Sequence, residues 1–187
     1  YRSDGTLFFT DPPFGLPKSF DDPQKEQPFQ AVYRLTPDGR LSAIITDLRA
    51  PNGIAFSPDE TTLYVSNADN TNPVWMAYPV RSDGTVGKGR VFADARAYVA
   101  PGEGVPDGLK VDARGNLFGA APGGVHIFAP DGTRIAFTSL RDGTKYIYLL
   151  TLETGDIIRL TTATGDIQEN SHPSWSPLGD KIVYMVR

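Results

Sequence analysis

Short apolar runs, rich in Val, Ile, Phe and Tyr, recur along the chain and are separated by turns containing Gly, Pro and Asp. Runs of this length between turn signals predict strands. The predicted strands are Leu7–Thr10, Ala31–Leu35, Leu41–Thr46, Gly53–Ser57, Leu63–Asn67, Val74–Val80 and Arg90–Ala93. They continue with Leu109–Asp112, Leu117–Ala120, Val125–Ala129, Ile135–Ser139, Lys145–Thr151, Asp156–Thr161, Ser174–Ser176 and Lys181–Val186. No stretch carries the 3.6-residue apolar period of an amphipathic helix. Pro12 to Gln30 is rich in Pro and charge and reads as a long loop, and Asp94 to Val105 as a second.

The strands belong to a repeat. A turn followed by a Leu-Phe-Phe or Leu-Tyr-Val type of strand recurs at Ser3-Asp4-Gly5, Pro58-Asp59-Glu60, Ala113-Arg114-Gly115, Pro130-Asp131-Gly132 and Pro177-Leu178-Gly179. The third turn residues, 5, 60, 115, 132 and 179, are separated by 55, 55, 17 and 47 positions. Common propeller blades run ~40–50 residues and lengthen through loop insertions. The long intervals fit blades and the short one does not. Val125–Ala129 reads as the third strand of one blade, and also as the first strand of a unit that continues through Pro130. Two accounts stand: a seam near Ala129–Thr133 where two propeller sequences meet, or an irregular natural blade. The expected fold is all-β, with about four blades' worth of four-stranded antiparallel sheets in a partial or oligomer-completed ring.

Composition narrows the chemistry. The 187 residues are 40% hydrophobic and 21% charged, enough apolar material for a core and too much for disorder. No apolar run approaches the ~18 residues of a membrane span. Eighteen basic against 22 acidic residues leave a net charge of −4, which disfavours nucleic acid as a partner. The absence of Cys removes disulfides, thiolate nucleophiles and Cys-ligated zinc. Two histidines, His126 and His172, do not make a His-rich metal cage. The chain opens on a turn signal, Arg2-Ser3-Asp4-Gly5, and closes within a strand. It is therefore expected to be a piece of larger architecture, and no compartment is assigned.

Asn52 and Asp107 are the candidate site residues. Each lies eight positions before a turn residue, Glu60 or Gly115, in a Pro-Asx-Gly frame. Equivalent positions of successive blades meet around a propeller's central channel. An amide oxygen and a carboxylate converging there suit a hard divalent cation: Ca²⁺ first, with Mg²⁺ and Zn²⁺ also admitted. The alternative is that both are ordinary turn residues bonding their own backbone. Eight positions before Gly179 stands Ser171, between Asn170 and His172. Eight before Gly5 falls outside the chain.

Residues 1–132 resemble the SMP-30/gluconolactonase family of six-bladed propellers. The resemblance is carried by Ser3 to Leu16, by Ala50 to Asp59, by Pro106 to Asp112 and by Gly115-Asn116-Leu117. Residues 133–187 resemble a TolB-type propeller repeat, carried by Thr133 to Ser139 (continuing Pro130-Asp131-Gly132), Arg141-Asp142-Gly143, Tyr146-Ile147-Tyr148, Arg159-Leu160-Thr161 and Pro173 to Pro177. The first resemblance implies that Asn52 and Asp107 are metal ligands and that Asp107 is the general base of a lactone hydrolase. The family's further Asn and its N-terminal Glu ligand have no counterpart here, which implies weakened or absent activity.

Two functions are therefore expected: a metal-dependent, gluconolactonase-type hydrolase acting on a small lactone, or a non-catalytic chimeric propeller fragment whose role is self-assembly or protein binding. A homo-oligomer is expected in both, with neither nucleic acid nor membrane as partner. His126, Trp75 and Trp175 are expected to pack rather than react, and His172 to be a solvated turn residue.

Overall fold

The computed structural model describes residues 1–97, 104–121, 124–129, 133–139, 141–151, 153–162, 170–175 and 181–186. Every predicted strand has its counterpart among them. They are β1 (Leu7–Asp11), β2 (Ala31–Leu35), β3 (Leu41–Ile45), β4 (Pro51–Phe56), β5 (Thr62–Asn67), β6 (Val74–Pro79), β7 (Arg90–Asp94) and β8 (Leu109–Val111). They continue with β9 (Leu117–Ala121), β10 (Gly124–Phe128), β11 (Arg134–Ser139), β12 (Tyr146–Thr151), β13 (Ile157–Arg159), β14 (Asn170–Trp175) and β15 (Ile182–Val186). The helical content among the described residues is three short 3₁₀ turns, two of them inside the Pro12 to Gln30 loop.

Four antiparallel sheets result: β1-β2-β3, β4-β5-β6-β7, β8 to β13 in sequence order, and β14-β15. The expected four strands per sheet hold only for the second. In the third, β10 pairs with β9 on one side and with β11 on the other, so its sheet runs on to β13. The strand that read two ways in the sequence takes both partners. The boundary between residues 132 and 133 thus falls inside one sheet. The turn residues Gly132 and Gly179 lie outside the described residues.

The 55-residue repeat is a repeat of backbone geometry. Gly5, Glu60 and Gly115 have φ of +84°, +57° and +86°. The amide of each donates to the carbonyl three residues back, at 3.1, 2.8 and 3.0 Å. Glu60 adopts a conformation that favours Gly. Its carboxylate accepts from the Ser3 amide at 2.6 Å and the Ser3 hydroxyl at 2.9 Å, tying the first turn to the second.

The sheets stack face to face, which explains the continuous apolar runs. In β5, Leu63 and Val65 point toward the first sheet and meet Phe8, Val32, Ile45 and Leu48. Tyr64, between them, points the other way, into a core with Trp75, Phe92, Leu117, Phe128, Ile135 and Phe137. Alternation puts successive residues on opposite faces, so a strand between two sheets needs apolar residues at both parities. The third sheet repeats this, with Ile127 and Ala136 turned away from Phe128 and Ile135 toward Ile182 of the fourth.

One row of side chains crosses the third sheet: Leu109, Gly119, His126, Phe137, Tyr148 and Arg159, each the cross-strand neighbour of the next. His126 stacks on Phe137 with centroids 6.0 Å apart, and Phe137 on Tyr148 at 5.7 Å. Burial, then the hydrogen bond to Asp142, pushes the Tyr148 phenol above its ordinary pKa. Trp75, fully buried, fills the gap in the row at Gly119 and meets Phe128 edge-on at 4.9 Å. His126 and Trp75 are packing residues, as expected. The side chains of His172 and Trp175 lie outside the described residues.

A Cβ at Gly119 would stand 2.7 Å from Trp75 Nε1. Gly119→Ala is therefore expected to destabilise the chain by about 1–3 kcal/mol through overpacking. Urea denaturation would show it as a lowered midpoint, and an unchanged midpoint would contradict the packing described.

Candidate functional site

The site begins with an irregularity in β4. Pro51 pairs with Asn67 and Ile54 with Val65, so Asn52 and Gly53 together face the single residue Ser66. This is a β-bulge, which bends a strand and re-aims a side chain. Gly53 is required at it by contact. A Cβ there would lie 2.4 Å from the Asp107 carbonyl oxygen and 2.6 Å from the Leu109 nitrogen. The backbones of β4 and of the segment entering β8 touch, and the preceding residues Asn52 and Pro106-Asp107 are brought together.

The side chains meet there. Asn52 Nδ2 donates to Asp107 Oδ1 at 2.8 Å, across 55 residues of sequence. Asp107 is exposed and Asn52 half-buried. Both are anchored through their backbones. The Asn52 carbonyl accepts from the Thr10 hydroxyl at 2.6 Å, and the Asp107 amide donates to the Ala120 carbonyl at 2.8 Å. Ser66, wholly buried on β5, completes the frame: its Oγ accepts from the Gly53 amide at 2.7 Å and donates to the Asp107 carbonyl at 2.5 Å. A Thr10–Asn52–Asp107 line of hydrogen bonds thus links three successive sheets.

Two cavities accompany the pair. One, about 440 Å³, is lined by Asn52, Gly53, Ile54, Lys110, Phe118 and Ala120 among others. The other, about 490 Å³, lies in the β1–β2 connection and includes Asp11, the neighbour of Thr10. That connection is ordered around Asp22, whose carboxylate accepts from the Lys18 and Gln24 amides at 2.8 and 2.9 Å.

The donors fit a hard cation. Asp107 offers carboxylate oxygens, and a half-turn of the Asn52 amide presents its oxygen where the nitrogen now stands. Among the described residues, no group of three or more His, Cys, Asp or Glu gathers. Asn170 is buried and its amide donates to the Lys145 carbonyl at 2.9 Å. The side chains of Ser171 and His172, the weaker sequence candidates, lie outside the described residues. The sequence did not single out Thr10, Ser66 or Lys110. A Ser or Thr in a strand is ordinary, and only the fold places these against the pair.

The SMP-30/Gluconolactonase/LRE-like region matches residues 1–144. The chain belongs to that family. The match extends past the position of the sequence seam. A gluconolactonase of Zymomonas mobilis is 43% identical over 145 residues, covering 76% of this chain and 41% of the relative. A lactonohydrolase of Aspergillus oryzae is 32% identical, covering 71% of this chain and 32% of its own. A solved gluconolactonase from Xanthomonas campestris superposes with a TM-score of 0.58 at 34% identity, over 72% of this chain and 50% of that one. The chain therefore spans half or less of the length of each of these three relatives. No helix among the described residues is long and apolar enough to cross a membrane.

Removing the Ser66 hydroxyl leaves the half-buried Gly53 amide and the Asp107 carbonyl each short of a partner. Ser66→Ala is expected to cost about 1–3 kcal/mol of stability. It should also broaden the NMR resonances of the Asn52 and Asp107 amides. Sharp, unshifted resonances at both would show that Ser66 does not hold the pair.

Proposed function

We propose that this chain carries part of the reaction centre of a lactone hydrolase, with Asn52 and Asp107 as oxygen ligands of a divalent cation and Asp107 as general base. The observation that carries the reading is the 2.8 Å contact between these side chains at the start of two inner strands, in a member of a lactonase family. The names of the relatives, a gluconolactonase and a lactonohydrolase, support a lactone as substrate class. The calcium ion is proposed from donor chemistry, since both donors are hard oxygens.

The chain's own part in the reaction is proton handling. The Asp107 carboxylate, exposed on an anchored backbone, takes a proton from water as the water oxygen bonds to the lactone carbonyl carbon. The ring C–O bond then breaks, and the departing oxygen recovers the proton, leaving a hydroxy acid. Without a cation, Asn52 holds the carboxylate in place through its amide nitrogen; with one bound, its rotated amide oxygen would share that cation with Asp107. A bound divalent cation would supply Lewis-acid polarisation of the carbonyl. With two protein donors in view, affinity and turnover are both expected to be low.

Calorimetric titration with Ca²⁺ tests the assignment. Asp107→Ala should weaken binding by about tenfold or more, and Asn52→Ala by less, because only Asp carries charge. Equal losses would contradict it. Any hydrolysis of glucono-δ-lactone above the spontaneous rate should require Ca²⁺ and vanish in Asp107→Ala. A rate that survives this substitution would remove Asp107 from its role.

A second reading, self-association, is favoured by the outer edge of the third sheet. There β13 and the residue after it expose Ile157, Ile158 and Leu160 at 38%, 52% and 41%. An apolar edge strand with unpaired backbone groups is a template for another strand. On this reading the 133–187 unit, proposed as TolB-like, supplies the contact. Light scattering at micromolar concentration is expected to show an oligomer that Ile158→Lys disperses. A monomer at these concentrations would exclude it.

A further inference from the structure

The cavity of about 440 Å³ beside the Asn52–Asp107 pair has a distinct electrostatic feature. Its floor is one face of β8 and β9. Leu109 points away from it into the core with Trp75, so alternation turns Lys110 to the cavity side, with Phe118 as its cross-strand partner. Ala120, two residues beyond Phe118, continues that face, and its amide donates to the Gly108 carbonyl at 2.8 Å. The remaining lining is mainly backbone and apolar carbon from Gly53, Ile54, Gly108 and Leu109. Lys110 is thus the cavity's one cationic lining residue. It is exposed and, among the described residues, has no ion-pair partner. Asp107 and Lys110 are three residues apart, so their Cα atoms are separated by no more than ~11 Å.

We propose that Lys110 is a specificity-determining residue that favours lactones carrying an anionic substituent at the end remote from the carbonyl. This rests on the lactone reading of the same site. A substrate whose carbonyl lies at Asp107 extends along the β8 face. Its far end then comes within reach of a flexible ammonium that no protein carboxylate neutralises. The apolar floor under Phe118 and Ala120 carries no counter-charge to compete with that of the substrate. A neutral hydroxymethyl group at the same place gains only a hydrogen bond.

The matched probes are D-glucono-1,4-lactone, which is neutral, and D-glucaro-1,4-lactone, which carries a free carboxylate at its far end. Binding of each to the full chain is followed by NMR titration at low and at high salt, with Ca²⁺ present. The glucarolactone is expected to bind about three- to tenfold tighter at low salt, as for a partly exposed ion pair. Lys110→Gln should abolish the difference and leave the neutral lactone unchanged, while Lys110→Arg should retain most of it. Equal binding of the probes by the wild type, or a preference that survives Lys110→Gln, would overturn the proposal. Failure of both lactones to bind would instead overturn the lactone reading, and this inference with it. Weaker binding of both lactones by Asp107→Asn, with the ratio between them unchanged, would support both.

Discussion

Two inner-strand backbones touch in this protein only because Gly53 has no side chain. Any Cβ there would overlap the Asp107 carbonyl and the Leu109 nitrogen. The contact fixes how closely the second and third sheets approach, and so places Asn52 against Asp107. It also brings two backbone polar groups against Ser66, whose buried hydroxyl satisfies both by accepting from one and donating to the other. Buried polar groups left without partners are costly, so the close approach and the buried hydroxyl are one feature.

That contact sits on a rigid base. The second and third sheets are each covered on both faces by their neighbours, and their strands are apolar at both parities. Trp75 entering the row at Gly119 locks the second sheet to the third, one residue before Ala120 on the same strand. Ala120 in turn holds the Asp107 amide. A shift in the Trp75–Gly119 packing would thus be felt at the Asp107 backbone. The side chain of Asp107 remains exposed above this anchored frame, held in place without burial of its charge.

The third sheet shows how a conflict in the repeat is resolved. The short 17-residue interval demanded that Val125–Ala129 end one unit and begin another. A strand has two edges, and β10 uses both, pairing with β9 and β11. The price is an edge strand, β13, pushed to the outside with its isoleucines exposed. The same extension that accommodates the irregular repeat leaves an exposed apolar edge.

Much of this was legible in the sequence. The strands follow from short apolar runs between turns, because local alternation and turn chemistry act over a few residues. The equal spacing of Gly5, Glu60 and Gly115 exposed the repeat, because equal turns need equal left-handed backbone geometry. The same phase picked out Asn52 and Asp107, which the structure brings to 2.8 Å. Tertiary structure alone decided the rest. Ser66 and Thr10 look like any hydroxyl in a strand until the sheets stack and their oxygens fall against Gly53, Asp107 and Asn52. Strand partition among the sheets was equally hidden, since an edge gains or loses a neighbour through contacts between distant segments. Lys110 became distinctive only when β4 and β8 closed a cavity around it. Such features depend on which surfaces meet, and a local pattern does not contain that information.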